Sequence, residues 1–290
     1  MKALLSILLL FILLGFSGSL AIEGDGKPII YFGIIPRYNP MVMYRNYQPL
    51  MDYLTEKTDY HFELKLALSY PETVKDLRDG KTQLASLGDV TCFEAYSSFG
   101  ALPLVSPLNK LGEPRYRSKI VVRANSTIKT LADLKGKTFA FGSSHSTSGN
   151  LIPRLYLYQN GITLFDFADY QNLSSHTAVA KAVLKGKVDA GAVKDVVAEY
   201  YSKYGMRVLA ASDFIPAVPI VARPDADPKM LAQVKQALLE IDSSKPEQIQ
   251  LMQDWDPEFR NGFVAAGLKD YQTIFNKMRN FPETCGAKCH

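Results

Sequence analysis

Apolar and polar positions along this chain fall into blocks whose periods predict strands and helices by turns. Residues 28–35 form a nearly continuous apolar run ended by Pro36, the pattern of a strand buried on both faces. From Tyr44 to Thr58 the apolar residues Tyr47, Leu50, Met51 and Leu54 recur at helical spacing. Phe62 to Leu68 alternates and predicts a second strand. A short helix over 71–80, a strand over 84–88 and a helix over 91–98 follow. The run at 118–123 reads as an extended crossing. After it the alternation restarts: an amphipathic turn at 130–137, a strand around Phe139, and a helix beginning after Ser148. A helix at 177–185 and strands at 188–193 and 207–211 come next. The run at 219–223 is similar to that at Ile120 and is expected to lie beside it. Helices over 227–242 and 246–255 then return to the first half. Strand and helix in alternation argue an α/β fold with largely parallel sheets. Two such units joined by two crossings predict two lobes, 27–118 with 222–290 and 119–221, about a hinged cleft.

The N-terminus departs from this pattern. Lys2 precedes an apolar stretch from Leu4 to Phe16, and small residues from Ser17 to Ala21 supply a cleavage site. This predicts an export signal cut after Ala21, although an uncleaved anchor has the same composition. The apolar stretch is short of the ~20 residues that span a bilayer. The mature chain is expected outside the cytoplasm, in the periplasm, as a soluble monomer. The formal net charge of +4 is too mild to suggest a nucleic-acid partner and compatible with a small anion. Of three cysteines, Cys92 sits in an apolar run and is expected as a buried thiol. Cys285 and Cys289 precede the terminal His290, a spacing open to a local disulfide, a haem-like attachment or trace-metal binding. No cofactor is expected.

Candidate chemistry concentrates at Ser146-Thr147-Ser148-Gly149, where a strand turns into a helix. Such a turn offers unpaired N–H groups and the positive end of a helix dipole. Its hydroxyls either cap the helix or help hold a tetrahedral oxyanion, and the turn by itself leaves both open. Enzyme signatures are missing: there is no Gly-x-Ser-x-Gly elbow, no phosphate-gripping Gly-x-x-x-x-Gly-Lys loop and no His-Glu-x-x-His, and the chain has four histidines in all.

The Ser-Thr-Ser-Gly turn with Pro153 beyond it carries a family resemblance, together with residues 32–36, Leu131 to Lys137, His176, Val188 to Val193, and Ile215-Pro216 with Pro219-Ile220-Val221. Over about residues 29–271 the chain resembles the periplasmic substrate-binding proteins of phosphonate, phosphite and phosphate ABC importers, two-lobe proteins of type II. The resemblance implies a ligand site of Ser146, Thr147, Ser148, His176, Tyr70 and Tyr116, and an ABC permease as partner. Members that take aminoalkyl phosphonates place acids near the ammonium. At one such place this chain has Val218. At the other it has Lys194-Asp195, of which Asp195 is the candidate. Both departures imply a ligand without a positive tail. A periplasmic sensor or redox-partner module of the same fold, binding another small anion, is the alternative.

Overall fold

The computed structural model describes residues 26–280. The export segment, Cys285, Cys289 and His290 lie outside the described residues. The first half holds β1 (Ile29–Ile34), α1 (Pro40–Lys57), β2 (His61–Leu66), α2 (Tyr70–Arg78), β3 (Leu84–Ser86), α3 (Asp89–Phe99) and β4 (Leu102–Pro107). A crossing carries β5 (Arg115–Tyr116) into β6 (Ser118–Arg123), β7 (Thr138–Phe141), α4 (Ile152–Gln159), β8 (Asp169–Asn172), α5 (His176–Leu184), β9 (Ala190–Lys194), α6 (Asp195–Ser202) and β10 (Met206–Ala211). The return crossing holds β11 (Ile215–Pro216), and then come β12 (Ile220–Ala222), α7 (Pro228–Leu239), α8 (Pro246–Leu251), β13 (Phe263–Ala265) and α9 (Leu268–Arg279).

Two sheets result, ordered β13-β4-β12-β3-β1-β2 and β10-β6-β9-β7-β8, with a β11-β5 ribbon between them. Parallel pairing is confined to one part of each sheet. β1 runs parallel to β2 and β3, and β7 to β8 and β9. β12 and β6 are antiparallel to their neighbours on both sides, so each sheet is mixed rather than mostly parallel. The cause is the crossings, which deliver the chain into each sheet from the opposite end.

One strand lies elsewhere than its pattern suggested. Ile220 is not beside Ile120; it sits opposite Ser86 and Val105 in the first sheet, while Ile120 pairs with Ala192 and Ala210 in the second. The crossings do meet, but one step earlier, where Ile215 faces Tyr116. An apolar run reports burial and is silent on which sheet buries it.

Alternate residues of the central strands feed the two faces of each sheet, as the period of two requires. In β7, Phe139 and Phe141 pack with Leu157, Ile162 and Phe167 on one side, and Ala140 packs with Val179 and Val183 on the other. In the first sheet Phe32 and Ile34 face α1 and α7, in a core that includes Tyr47, Leu50, Val234 and Leu238. The segment after α8 is anchored to the same core. Trp255 and Phe259 are fully buried, with Phe259 edge-on to Tyr47 at 5.5 Å between ring centroids. This anchor carries Asp256 and Glu258 to the cleft between the sheets. Among the described residues no helix is long and apolar enough to cross a membrane.

Candidate functional site

Chain ends of both sheets converge on one small cavity. From the first sheet's unit come Ile35, Arg37, Tyr70 and Gly88; from the second come Ser146, Thr147, Ser148, His176 and Lys194; Tyr116 and Val218 come from the crossings. The open space they enclose is only ≈ 10 Å³, about enough for one water. A wider chamber of ≈ 560 Å³ opens beside it, lined by Lys110, Arg115, Lys203 and Arg260 among others, and shares Tyr116 and Lys194 with it.

The serine turn is built as a single π-helical turn, Thr147–Leu151, ahead of α4. Ser146 caps it, its Oγ accepting the Gly149 N–H at 3.1 Å. The turn is pressed against the end of β7, where the Gly142 N–H donates to the Gly149 carbonyl at 2.7 Å. A Cβ on Gly149 would lie 2.8 Å from Ser146 Oγ and 3.0 Å from His176 Cε1, so only glycine fits there. Asn150 Nδ2 donates to the Gly142 carbonyl and to Asn172 Oδ1, both at 3.0 Å, tying the turn to β8. Ser146 thus caps the turn, and all three side chains line the cavity.

Thr147 reaches across the cleft. Its Oγ1 accepts the Val90 N–H at 3.1 Å, satisfying an orphan donor in the first turn of α3. His176 opens α5, where Ser175 rather than the histidine is the cap. Its Nδ1 accepts the Lys194 N–H at 3.3 Å, which leaves the proton of the neutral ring on Nε2. Burial, followed by Lys194 and Arg37, lowers its pKa to about 3. His176 is therefore a neutral donor at ordinary pH, and the charge-assisted bond of an imidazolium is not what this site offers. Tyr70 opens α2 behind its cap Ser69 and is buried, lining the cavity with Ser146. Tyr116 is buried in the β11-β5 ribbon and lines the cavity with Ser148.

Asp195 stands apart from these six residues. Its carboxylate accepts the Arg117 N–H at 3.1 Å and the Val196 N–H at 2.9 Å, and it borders the outer chamber, not the anion cavity. As the first residue of α6 it accepts one N–H from its own helix, that of Val196, and one from the crossing, that of Arg117.

Arg37 and Lys194 were not anticipated as site residues, and they dominate its electrostatics. Arg37 is buried and donates to Tyr47 Oη at 2.7 Å and Ser86 Oγ at 3.0 Å, with Glu258 Oε2 at 3.3 Å. Burial works against its charge, but Tyr47, Glu258 and Asp256 outweigh it and keep the guanidinium protonated. Lys194 Nζ bonds Glu258 Oε1 and lies 4.1 Å above the Tyr116 ring. Burial pulls the Lys194 pKa down, opposed chiefly by Glu258. Two cations thus share one carboxylate. The other acids close by are driven toward neutrality: burial raises Asp89 well above the carboxylate range, and burial with Glu258 raises Asp256. No signal in the sequence marked Arg37 or Glu258, single charged residues in loops. Lys194 was visible only as a disturbance beside Asp195. Among the described residues no cluster of three or more His, Cys, Asp or Glu is placed to hold a metal.

A closed cavity of donors with net positive charge, between two α/β units, is what the family comparison resolves. The family model for the periplasmic substrate-binding protein of phosphonate ABC transporters matches residues 32–271. The chain belongs to this family. The phosphonates-binding periplasmic protein of Escherichia coli (strain K12) is 27% identical over 212 residues, covering 69% of this chain and 62% of that protein. A probable ABC transporter phosphite-binding protein of Prochlorococcus marinus (strain MIT 9301) is 24% identical over 264 residues, covering 85% of this chain and 87% of the relative. The crystal structure of a binding-protein component of a Pseudomonas aeruginosa ABC phosphonate transporter superposes with a TM-score of 0.78 at 22% identity, covering 91% of this chain and 93% of the other. Phosphonate-binding-type proteins of this family are type II two-lobe folds and substrate-binding parts of transporters, not enzymes.

Proposed function

We propose that this protein captures a small phosphorus oxyanion (phosphate, phosphite or an alkylphosphonate) outside the cytoplasm and delivers it, as a monomer, to an ABC permease. The observation that carries this reading is the convergence of Tyr70, Tyr116, Ser146, Thr147, Ser148 and His176 on one cavity beside Arg37 and Lys194. All of these groups can donate to an acceptor-rich anion, and the two cations supply charge. The phosphonate and phosphite named for the two relatives fit such a donor set. A cavity of ≈ 10 Å³ cannot admit a tetrahedral anion from outside without opening, which supports lobes that hinge at the crossings near Ser118 and Ala222. The ligand-contact roles of the six residues, the lobe boundaries and the export signal are part of the same proposal.

Calorimetric titration of the mature protein with phosphate, phosphite, methylphosphonate and 2-aminoethylphosphonate tests it. At least one of the first three should bind, and the aminoalkyl compound should bind worse, because Val218 offers its ammonium no partner and an unpaired buried cation is costly. Alanine at Ser146, Thr147 and Ser148 together should abolish binding. Failure of every ligand in the panel would sink the reading.

A further inference from the structure

The small cavity is too tight for more than the head of a ligand. Its open space is ≈ 10 Å³, and Ile35 and Val218 put hydrocarbon into its wall. A substituent on phosphorus has to leave it. Tyr116 and Lys194 line both this cavity and the ≈ 560 Å³ chamber, so they stand where the two meet, and a tail that passes them enters the chamber. A chamber of that size is in the range that holds whole small molecules.

The chamber has the chemistry of a second anion site. Five cations line it against three acids, and all three acids are engaged. Glu199 pairs with Lys110, Glu258 with Lys194 and Arg37, and Asp195 accepts two backbone N–H groups. Arg115 is held by Glu113. Lys203 and Arg260 are different: among the described residues neither has an acid partner. Lys203 Nζ lies 4.5 Å and 5.3 Å from the ring centroids of Tyr200 and Tyr204. Arg260 donates its Nε to the Trp255 carbonyl at 2.7 Å, which leaves the outer edge of the guanidinium to bond an anion. Leu108, Leu111 and Pro257 add apolar surface to the same wall, against which methylene groups can lie.

We propose that the chamber is a subsite for the tail of a phosphonate, and that the tail it takes ends in a second anion: the ligand class is a carboxyalkylphosphonate, with phosphorus in the small cavity and the carboxylate at Lys203 and Arg260. This deepens the reading above and rests on it, since it needs the small cavity to be the phosphorus site. The physical reason is charge placement. A carboxylate tail supplies the acid that Lys203 and Arg260 lack, whereas an ammonium tail meets two like charges there. Both cations are exposed, so each contact is screened and the gain is moderate.

The test is calorimetric titration of the mature protein at low ionic strength with phosphonoacetate, 3-phosphonopropionate and 4-phosphonobutyrate, each against the alkylphosphonate of equal chain length. Methylphosphonate and phosphate report on the small cavity alone. At least one of the three acids should bind about fivefold or more tighter than its alkyl counterpart, and the gap should shrink at high salt. Lys203→Gln and Arg260→Gln should each narrow that gap while leaving the Kd for methylphosphonate unchanged. Binding of methylphosphonate or phosphate with no gain for any acid would overturn the inference and leave the oxyanion reading intact. A gain that survives both substitutions would overturn it as well, because the carboxylate would then lie elsewhere. Binding of no ligand in the series would sink the oxyanion reading and the inference with it.

Discussion

His176 is the residue whose chemistry changes most between the string of letters and the folded site. In the sequence it reads only as a ligand residue; in the fold its Nδ1 is occupied by a backbone N–H and its pKa is lowered to about 3 by burial, then Lys194 and Arg37. His176→Ala removes one donor to a charged ligand and should weaken oxyanion binding by ~1.5–3 kcal/mol, read as a ten- to hundredfold rise in Kd by titration. A variant with unchanged Kd would remove His176 from the ligand's contacts. Gly149 tests the turn in another way. Gly149→Ala places a methyl 2.8 Å from Ser146 Oγ and 3.1 Å from the Gly142 Cα, and Gly142 is backbone that cannot swing aside. Loss of anion binding with a modest drop in Tm is the expected outcome, checked by titration and thermal melt on the same sample. The hydroxyl turn, the histidine and the two tyrosines were legible because they recur in a known order around a strand-to-helix turn. Arg37 and Glu258 were not legible, because a lone charged residue in a loop looks the same whether solvated or buried. Asp195, a ligand candidate by position, lines the outer chamber and accepts two backbone N–H groups.

At the scale of elements, the small cavity depends on a segment that lines only the chamber beside it. The stretch after α8 is anchored by Trp255 and Phe259 and delivers Glu258 between Arg37 and Lys194. Lys194 belongs to the second sheet and Glu258 to the unit built on the first, so this buried ion pair also ties the two together. Removing one partner of such a pair leaves an uncompensated charge, at a cost of ~3–5 kcal/mol. Glu258→Gln should therefore lower the Tm of the anion-free protein by several degrees. The same change releases both cations to a bound anion, so the rise in Tm on adding a saturating oxyanion should be larger in the variant than in the wild type. Equal rises would mean that Glu258 does not compete for those cations. Periodicity found β1, β2, β3, β7, β9, β10, α1 to α5 and α7 by their buried faces, and missed β4, α6, β13 and α9. It did not find β8, whose four residues are all exposed, or place β12, whose apolar run fits either sheet.

Across the whole molecule, contacts span the cleft at several depths. Thr147 to Val90 and Lys194 to Glu258 lie inside; Lys110 with Glu199, and His145 with Glu94 at 2.7 Å, lie toward the surface. The last pair makes the contacts across the cleft responsive to pH. The hydrogen bond to Glu94, aided by its charge, raises the His145 pKa above the ordinary value of 6.5. A raised histidine contributes stability that is fully present below 6.5 and is lost as pH rises through the higher folded value. His176 has the opposite sign: its lowered pKa leaves stability intact above 6.5 and erodes it as pH falls toward about 3. The two effects occupy different windows, so they can be separated. Above 6.5 the wild type should lose Tm relative to His145→Gln, and below 6.5 the two curves should fall together. Both His145 and Glu94 are about one-third exposed, so screening limits the pair to roughly 0–1 kcal/mol, a shift of a few degrees at most. The measurement is the difference between the two melting curves across the pH range, which cancels the titration of every other group. Glu94→Gln should reproduce the His145→Gln curve, since each removes the same pair. A difference curve that is flat above 6.5 would show that the His145–Glu94 contact does not hold the closed form.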